Sequence, residues 1–440
     1  EYYKGLIDNY KIYDGALSQD AIETQYQNFQ AELEQIEKDK EEQEKAMALQ
    51  KEYDDLEILN ADDVRGNVAL IRQGRYGSTI TWESSNKSVI TDSAEGSLYD
   101  GGVVTRPNPG NSAVEVTLKA TLKSAYNEDT KTKEFKVQVQ PKEADLDTDY
   151  SAGYLWAHFG IAGGYEKMFF GYSEDGLTWR KLNKVDGIAK PVMENNAQGS
   201  DQGVRDPHII RSAEGDRYWI LGTDLHAEGD GPGGSGWNQL SASQNLVVWE
   251  STDLVNWSEP RLVYAGFDQA GCIWAPEAIY DDTTGDYVVY WSSRDKSKVG
   301  TEQNALRVYV CRTRDFKSFS EPKVWLSEDQ DSGKEINIID SSIVKDNGKF
   351  YRFSTSDWNT VIDVSDTLDT EDVLDVRNGE NQSTPNGSWT RLVTRSGTGA
   401  AGFEREEGFT VYQLPDGRWC AMGDEDGYKA FVTNDLASCK

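Results

Sequence analysis

Between Ile22 and Ile36 the apolar residues Ile22, Tyr26, Phe29, Leu33 and Ile36 recur at spacings of three and four, the period of one helix face. Ser18 stands ahead of this run as an N-cap, with Asp20 and Glu23 in the first turn, and the spacing predicts a helix over residues 19–50. From Glu37 to Glu44 nearly every residue is charged, so the segment 18–52 reads as a solvated, semi-rigid spacer, about 45 Å long at ~1.5 Å per residue. The period then shortens to two. Ile80 and Trp82 alternate, as do Val114, Val116, Leu118, Ala120 and Leu122, and again Phe135, Val137 and Val139, with Gly, Asn and Ser clusters between the runs. Short alternating strands at this density predict a β-sandwich over residues 53–142. Ahead of the helix, Leu6, Asp8, Tyr10 and Ile12 face one way and Ile7, Asn9, Lys11 and Tyr13 the other, a single strand ending in the turn Asp14-Gly15.

From Tyr150 onward the chain repeats itself. An apolar strand is followed by Ser or Thr near Asp, then Leu or Phe, then Trp or Phe: at Phe169–Trp179, Val247–Trp257 and Val308–Phe319, more weakly from Val361 to Trp389, and in Ala430–Leu436 at the chain end. A Gly or Asp turn with aromatic strand residues precedes most copies, as in Asp216–Trp219, Gly285–Tyr287, Gly348–Tyr351 and Gly417–Trp419. A period of roughly 60–70 residues with three or four short strands per copy is that of a propeller blade. The expected fold class is therefore mainly β: a five-bladed β-propeller over 150–440, its last blade truncated, after a helical linker and a sandwich. A blade cannot bury both faces alone, so the ring must form as a unit.

Composition narrows the function. Asp and Glu number 76 against 45 Lys and Arg, a net charge of −31, which repels nucleic acid and anionic membranes and suits a neutral partner such as a polysaccharide. No run of ~18 apolar residues spans a membrane. Cys272, Cys311, Cys420 and Cys439 lack metal-ligand spacing and read as core thiols. The three histidines His158, His208 and His226 show no zinc-type spacing. The insertion Gly229–Trp237 is expected to be a mobile loop at a pocket rim, and it resembles no phosphate loop.

Candidate chemistry lies where the later repeats begin. Val204-Arg205-Asp206-Pro207, Ile273-Trp274-Ala275-Pro276-Glu277, Ile338-Ile339-Asp340-Ser341 and Glu406-Glu407-Gly408-Phe409 each set an acid in an apolar frame. Innermost propeller strands face a central axis, so acids at their heads would converge on one pocket, and a carboxylate beside Ile and Val is costly unless paired or used. Glu406 competes with Glu407 for this position; side chains alternate along a strand, so only one of the two can face the axis.

Three resemblances follow from these residues. The stretch Gly5-Leu-Ile-Asp-Asn-Tyr-Lys-Ile-Tyr-Asp-Gly-Ala-Leu17 resembles the closing strand of a laminin-G-like jelly roll, which implies a C-terminal remnant of such a domain over 1–17. Thr79-Ile-Thr-Trp-Glu-Ser-Ser-Asn86 with Gly102-Val-Val-Thr-Arg-Pro107 resembles bacterial Ig-like modules found beside carbohydrate enzymes, a structural role. The four acid-bearing motifs, in order on a five-fold repeat, resemble glycoside hydrolase family 43. That resemblance implies a secreted or cell-surface bacterial enzyme that cleaves furanosides or xylosides with inversion. Asp206 would be the general base, Glu407 the general acid, and Asp340 the charge that holds Glu407 protonated and oriented. Arg205, His208, Trp274 and Glu277 are the implied substrate contacts, His208 serving either substrate or base. No cofactor is required, although the resemblance allows a calcium ion on the axis and leaves the metal open. The implied substrates are arabinan and arabinoxylan, attacked by an α-L-arabinofuranosidase or β-xylosidase; an endo-arabinanase, a galactofuranosidase or a non-catalytic sugar-binding propeller stand as alternatives.

Overall fold

A computed structural model describes residues 15–93, 98–99, 101–144, 153–329, 334–371, 374–377, 380–383, 388–393, 407–424 and 427–437. The strand expected over the laminin-G-like remnant therefore lies outside the described residues, as do Glu406 and Cys439. The chain divides into two compact units: residues 1–57, 71–83 and 118–135, and residues 58–70, 84–117 and 136–440.

In the smaller unit the helix α1 (Gln19–Asp55) runs five residues beyond its expected end. The Ser18 hydroxyl accepts the Ala21 N–H at 3.2 Å, an N-cap as its position in the sequence requires. Among its residues only Ala48, Leu49 and Glu52 are buried, all in its last two turns. There the Glu52 carboxylate accepts the N–H groups of Arg75 and Tyr76 at 3.0 and 2.8 Å and ties the helix to the turn before the first strand. Three strands, β1 (Thr79–Ser84), β2 (Val114–Lys123) and β3 (Thr130–Val139), order as β1-β2-β3; β1 and β2 bury alternate residues, and β3 does so at Val137 and Val139, the mark of a half-covered sheet.

The larger unit is a succession of antiparallel sheets. The first is β4 (Tyr154–Ala162), β5 (Tyr165–Ser173) and β6 (Arg180–Lys181), with the short hairpin β7 (Lys184–Val185) and β8 (Ile188–Ala189) after it. The second is β9 (Val204–Arg211), β10 (Tyr218–Asp224), β11 (Asn245–Ser251) and β12 (Arg261–Tyr264). The third contains β13 (Trp274–Asp281), β14 (Asp286–Arg294), β15 (Leu306–Thr313) and β16 (Lys323–Asp329), extended by β17 (Glu335–Ile336). The fourth is β18 (Ile338–Asp346), β19 (Lys349–Ser356) and β20 (Asn359–Ser365) with β23 (Thr390–Val393); β21 (Leu374–Arg377) and β22 (Glu380–Ser383), which precede β23 in the chain, instead join the third sheet through a parallel β16–β21 pair. The fifth is β24 (Glu407–Gln413), β25 (Trp419–Asp424) and β26 (Tyr428–Thr433).

The first strands β4, β9, β13, β18 and β24 touch one another in chain order. The last sheet returns to the first, where Tyr154 donates to the Gln413 carbonyl at 2.7 Å and Tyr412 to that of Gly176 at 2.6 Å. Separate apolar cores fill the spaces between neighbouring sheets, such as Leu221 and Val248 against Ala278, Val289 and Trp291. Trp249, Trp291, Trp325 and Trp389 are fully buried there, and truncating any one to Ala would cost ~3–5 kcal/mol. The middle strands are accordingly buried along almost their whole length, whereas the first strands are only half covered.

The recurring Ser/Thr-x-Asp has a physical cause. Ser251 accepts the Leu254 N–H at 2.9 Å, and Asp253 accepts those of Val255 and Asn256 at 2.9 and 2.7 Å, which closes the turn between third and fourth strands. Ser173 with Asp175 and Thr313 with Asp315 repeat the arrangement. These backbone donors hold the Asp175 and Asp253 carboxyls well below the usual carboxylate range. The residue after each Asp takes positive φ, as Gly176, Leu254 and Phe316. Within the same unit, Arg106 pairs with Asp216 at 2.9 Å and Arg217 with Asp63 at 3.0 Å, which fixes residues 58–70 and 84–117 against the hairpin ends of the second sheet.

Candidate active site

The heads of four first strands share one local geometry. Asp206, Ala275, Asp340 and Gly408 all have positive φ, at 48°, 46°, 52° and 59°. At each of these points the ladder to the second strand slips by a residue, a β-bulge. A left-handed non-glycine residue is strained, least so for Asp, and such strain persists where the surrounding fold imposes it. Asp206 and Asp340 thus sit on the bulged residue itself, whereas Glu407 occupies the position before it, equivalent to Arg205 and Trp274. A carboxylate one methylene longer stands one residue earlier.

Side-chain electrostatics bring the three acids together. Thr223 Oγ1 donates to Asp206 Oδ2 at 2.8 Å and accepts the Ala275 N–H at 2.9 Å. Burial raises the Asp206 carboxyl above its ordinary value; the Arg205 charge, the Thr223 hydroxyl and the Ala275 N–H oppose it. Asp340 is raised well above the ordinary value, by burial first and then by the negative charges of Asp206 and Glu407, while the Gly408 N–H, donating at 3.2 Å, pulls it down. Glu407 is raised by burial, then by Asp424 and Asp206, against the Arg205 charge. Asp424 lies directly across the β24–β25 ladder from Glu407.

Arg205 lies between two rings, its guanidinium 4.4 Å from Phe159 and 4.5 Å from Trp237. Its charge faces Glu166, fully buried at 3.4 Å, and Glu228 at 3.9 Å. Glu166 also accepts the N–H groups of Ala227 and Glu228 and pairs with His226 Nδ1 at 2.7 Å. These donors hold Glu166 below the ordinary carboxyl range despite its burial. His226 Nε2 lies 3.1 Å from the Gly231 carbonyl, so both ring nitrogens face acceptors, an arrangement that favours the imidazolium, and these partners raise its pKa against burial.

His208 Nε2 donates to the Ala278 carbonyl at 3.0 Å, and Nδ1 lies 3.7 Å from Glu277. Glu277 in turn accepts from the Tyr290 hydroxyl at 3.1 Å, which itself accepts the Ile343 N–H at 3.1 Å. His208, Glu277 and Tyr290 therefore link β9, β13, β14 and β18. Trp274 meets Trp237 edge-on at 6.2 Å. His158 is stacked on Phe169 and packed on Trp156, away from the acids' hydrogen bonds, with burial lowering its pKa. Cys272, Cys311 and Cys420 are buried free thiols. Among the described residues no three His, Cys, Asp or Glu side chains converge in a metal-holding group.

Sequence reasoning missed Glu166, Thr223, Trp237, Phe159 and Asp424. The Gly-rich insertion that carries Trp237 is also not the free loop expected, being held on both sides by hydrogen bonds such as Gly231 N–H to Gly164 O at 2.9 Å. An open crevice lined among others by Asp63, Arg65, Arg217 and Tyr280 lies at the hairpin ends of the strands and does not include the acids.

Residues 149–440 match the family model described as “Probable glycosyl hydrolase domain”, of the group related to glycoside hydrolase family 43, and residues 42–142 match that of the “Atrophied bacterial Ig domain”. An α-L-arabinofuranosidase of Bifidobacterium longum subsp. longum is 33% identical over 325 residues, 66% of this chain and 28% of that protein, so the chain spans just over a quarter of the relative's length. Among solved structures, an exo-1,5-α-L-arabinanase from a bovine ruminal metagenomic library is 15% identical with a TM-score of 0.40, over 64% of this chain and 94% of that one. An exo-β-1,3-galactanase from Clostridium thermocellum is 13% identical with a TM-score of 0.42, over 65% and 58%.

Proposed function

The chain belongs to the glycosyl hydrolase domains related to family 43, and from that premise we propose that it removes α-L-arabinofuranosyl, or β-xylosyl, residues from plant polysaccharides such as arabinan and arabinoxylan by inverting hydrolysis. The observation that carries the reading is that Asp206, Asp340 and Glu407 stand at equivalent β-bulges at the heads of three separate first strands, where Asp340 feels the charges of Asp206 and Glu407, and Glu407 that of Asp206. The five successive sheets support a five-bladed propeller with these acids around its axis. The setting is secreted or cell-surface; among the described residues no helix is long and apolar enough to cross a membrane.

In this mechanism Asp206 takes a proton from water as the water attacks the anomeric carbon. Glu407 gives its proton to the leaving oxygen. The roles match the environments: Asp206 is kept ionisable by Arg205, Thr223 and the Ala275 N–H, while Glu407 sits beside Asp424 and Asp206, charges that favour its protonated form. Asp340, braced by the Gly408 N–H, orients the strand that carries Glu407. Inversion calls for base and acid roughly 6.5–9.5 Å apart, room for the water.

The test is turnover of para-nitrophenyl α-L-arabinofuranoside, β-xyloside and galactofuranoside, with arabinan and arabinoxylan, by wild type and Glu407→Ala. Cleavage that Glu407→Ala lowers by orders of magnitude supports the reading and names the sugar. No turnover across the panel, with sugar binding retained, would replace it with a binding propeller.

A further inference from the structure

The glycines of the insertion 229–237 are a packing requirement. A Cβ on Gly229 would strike the Gly164 carbonyl oxygen, one on Gly231 would lie 2.5 Å from the Tyr165 ring, and one on Gly234 would lie 2.6 Å from the His226 carbonyl oxygen. Gly229, Gly233, Gly234 and Gly236 also have positive φ. Tyr165 donates to the Pro232 carbonyl at 3.2 Å, and Ser235 donates through its N–H and hydroxyl to Asp201 at 3.0 and 2.8 Å. Gly236 N–H reaches the His226 carbonyl at 3.1 Å. The segment is therefore laid flat on the β4–β5 hairpin and on His226, and what it delivers at its end is Trp237.

One face of that indole covers the Arg205 guanidinium, next in sequence to Asp206, yet the residue remains 54% exposed. Trp274 stands perpendicular beside it, at 83°. An indole fixed in this way and left half in water offers an electron-rich face to the C–H groups of a sugar ring. Arg205 already faces Glu166 and Glu228, so a neutral ring fits this place better than an anion. A ring undergoing cleavage has to reach the half-buried Asp206 and Asp340; the part of the substrate that points outward is the one that departs. We propose that the outward face of Trp237 is the platform for the sugar ring on the leaving-group side of the cleaved bond, which makes this loop the element that selects oligomeric over simple glycosides. The inference rests on the glycosidase reading above.

The experiment compares arabinotriose with methyl α-L-arabinofuranoside, or the corresponding pair for the sugar the panel selects, on wild type, Trp237→Ala and Trp237→Phe. The methyl glycoside has no ring to stack. Trp237→Ala should lower kcat/KM on the trisaccharide about tenfold or more, mainly through KM, and on the methyl glycoside by only about two- to threefold, with Trp237→Phe recovering most of the loss. Equal losses on both substrates would make Trp237 a support for Arg205 and overturn the platform; no loss on either would do the same. A wild type that cleaves neither substrate defeats the glycosidase reading and the platform with it, whereas a wild type that cleaves both while Trp237→Ala matches it defeats the platform alone.

Discussion

The Thr223 hydroxyl hydrogen is committed to Asp206 at 2.8 Å, because its oxygen receives the Ala275 N–H at 2.9 Å. One hydroxyl thus aims a donor from the second strand of one sheet at the candidate base on the first, and it is itself aimed by the next sheet. Thr223→Val keeps the shape and removes the donor. Because that donor lowers the Asp206 pKa, its loss should move the acid limb of the kcat/KM profile to higher pH and lower the plateau about tenfold, the loss of ~1–1.5 kcal/mol. A pH–rate profile of the variant checks this.

Asp340 should show activity and stability in opposition. A carboxyl raised well above its ordinary value keeps its proton in the folded chain at a pH where the unfolded chain has lost it, so its contribution to stability falls as pH rises from the usual ~3.9 towards the raised value. Asp340→Asn is neutral without holding a proton and still accepts the Gly408 N–H. At neutral pH the variant should melt higher, by roughly 2–4 °C for each kcal/mol relieved, while turnover falls roughly 10²–10⁴-fold. Calorimetry beside the arabinofuranoside assay measures both.

The His226–Glu166 pair predicts an alkaline limit. The imidazolium pKa is raised in the fold, so its stabilisation is complete below about 6.5 and is lost as pH rises through the raised value. Glu166, lowered, contributes above its ordinary value and loses that contribution only as pH falls through the depressed one. The difference in Tm between wild type and His226→Gln should therefore be largest in mildly acidic buffer and shrink towards pH 9. A difference that stays constant over that range would mean the ring is not held as a cation.

Gly229→Ala should damage the pocket from outside it. The added methyl meets a backbone oxygen at a position of positive φ, so the cost is ~1–3 kcal/mol. Loosening of Trp237 should accompany it, read as a rise in KM for arabinotriose together with a lower melting temperature.

A buried network anchors the fourth sheet. Arg352 and Arg391 both bond Asp363, at 3.1 and 2.5 Å, and Arg391 reaches Glu328 at 3.1 Å, with Arg352 stacked 4.2 Å over Trp389. Arg352→Met keeps an apolar contact with Trp389 but leaves Asp363 short of one cation. Removing a partner from such a pair costs ~3–5 kcal/mol, and denaturant unfolding should show it.

The sequence made some of this legible and hid the rest for identifiable reasons. The helix of residues 19–55 and the Ser/Thr-x-Asp turns depend on partners three or four residues away, so spacing alone exposes them. The acid-bearing strand heads were visible as an odd charge in an apolar frame. Glu166 was not, because its partners Arg205 and His226 lie 39 and 60 residues along the chain and nothing local in Tyr165-Glu166-Lys167 marks it. Thr223 and Asp424 are similarly defined by what stands across a ladder. The Gly-rich insertion misled by composition: glycine density signals freedom only where nothing packs on the bare backbone, and here Tyr165, Gly164 and His226 do.

The four bulged strand heads also bear on how such a site can change. Asp206, Asp340 and the Glu407-Gly408 pair occupy equivalent moulds, and Ala275 occupies another with no functional group on it, at φ 46°. A fold built by repeating one unit presents the same backbone kink several times around a shared space, so chemistry can be moved from one kink to another by single substitutions, without rebuilding the scaffold. Ala275, already in a conformation that Asp and Asn tolerate best, is the place where a new catalytic group would enter these strand heads with the least disturbance.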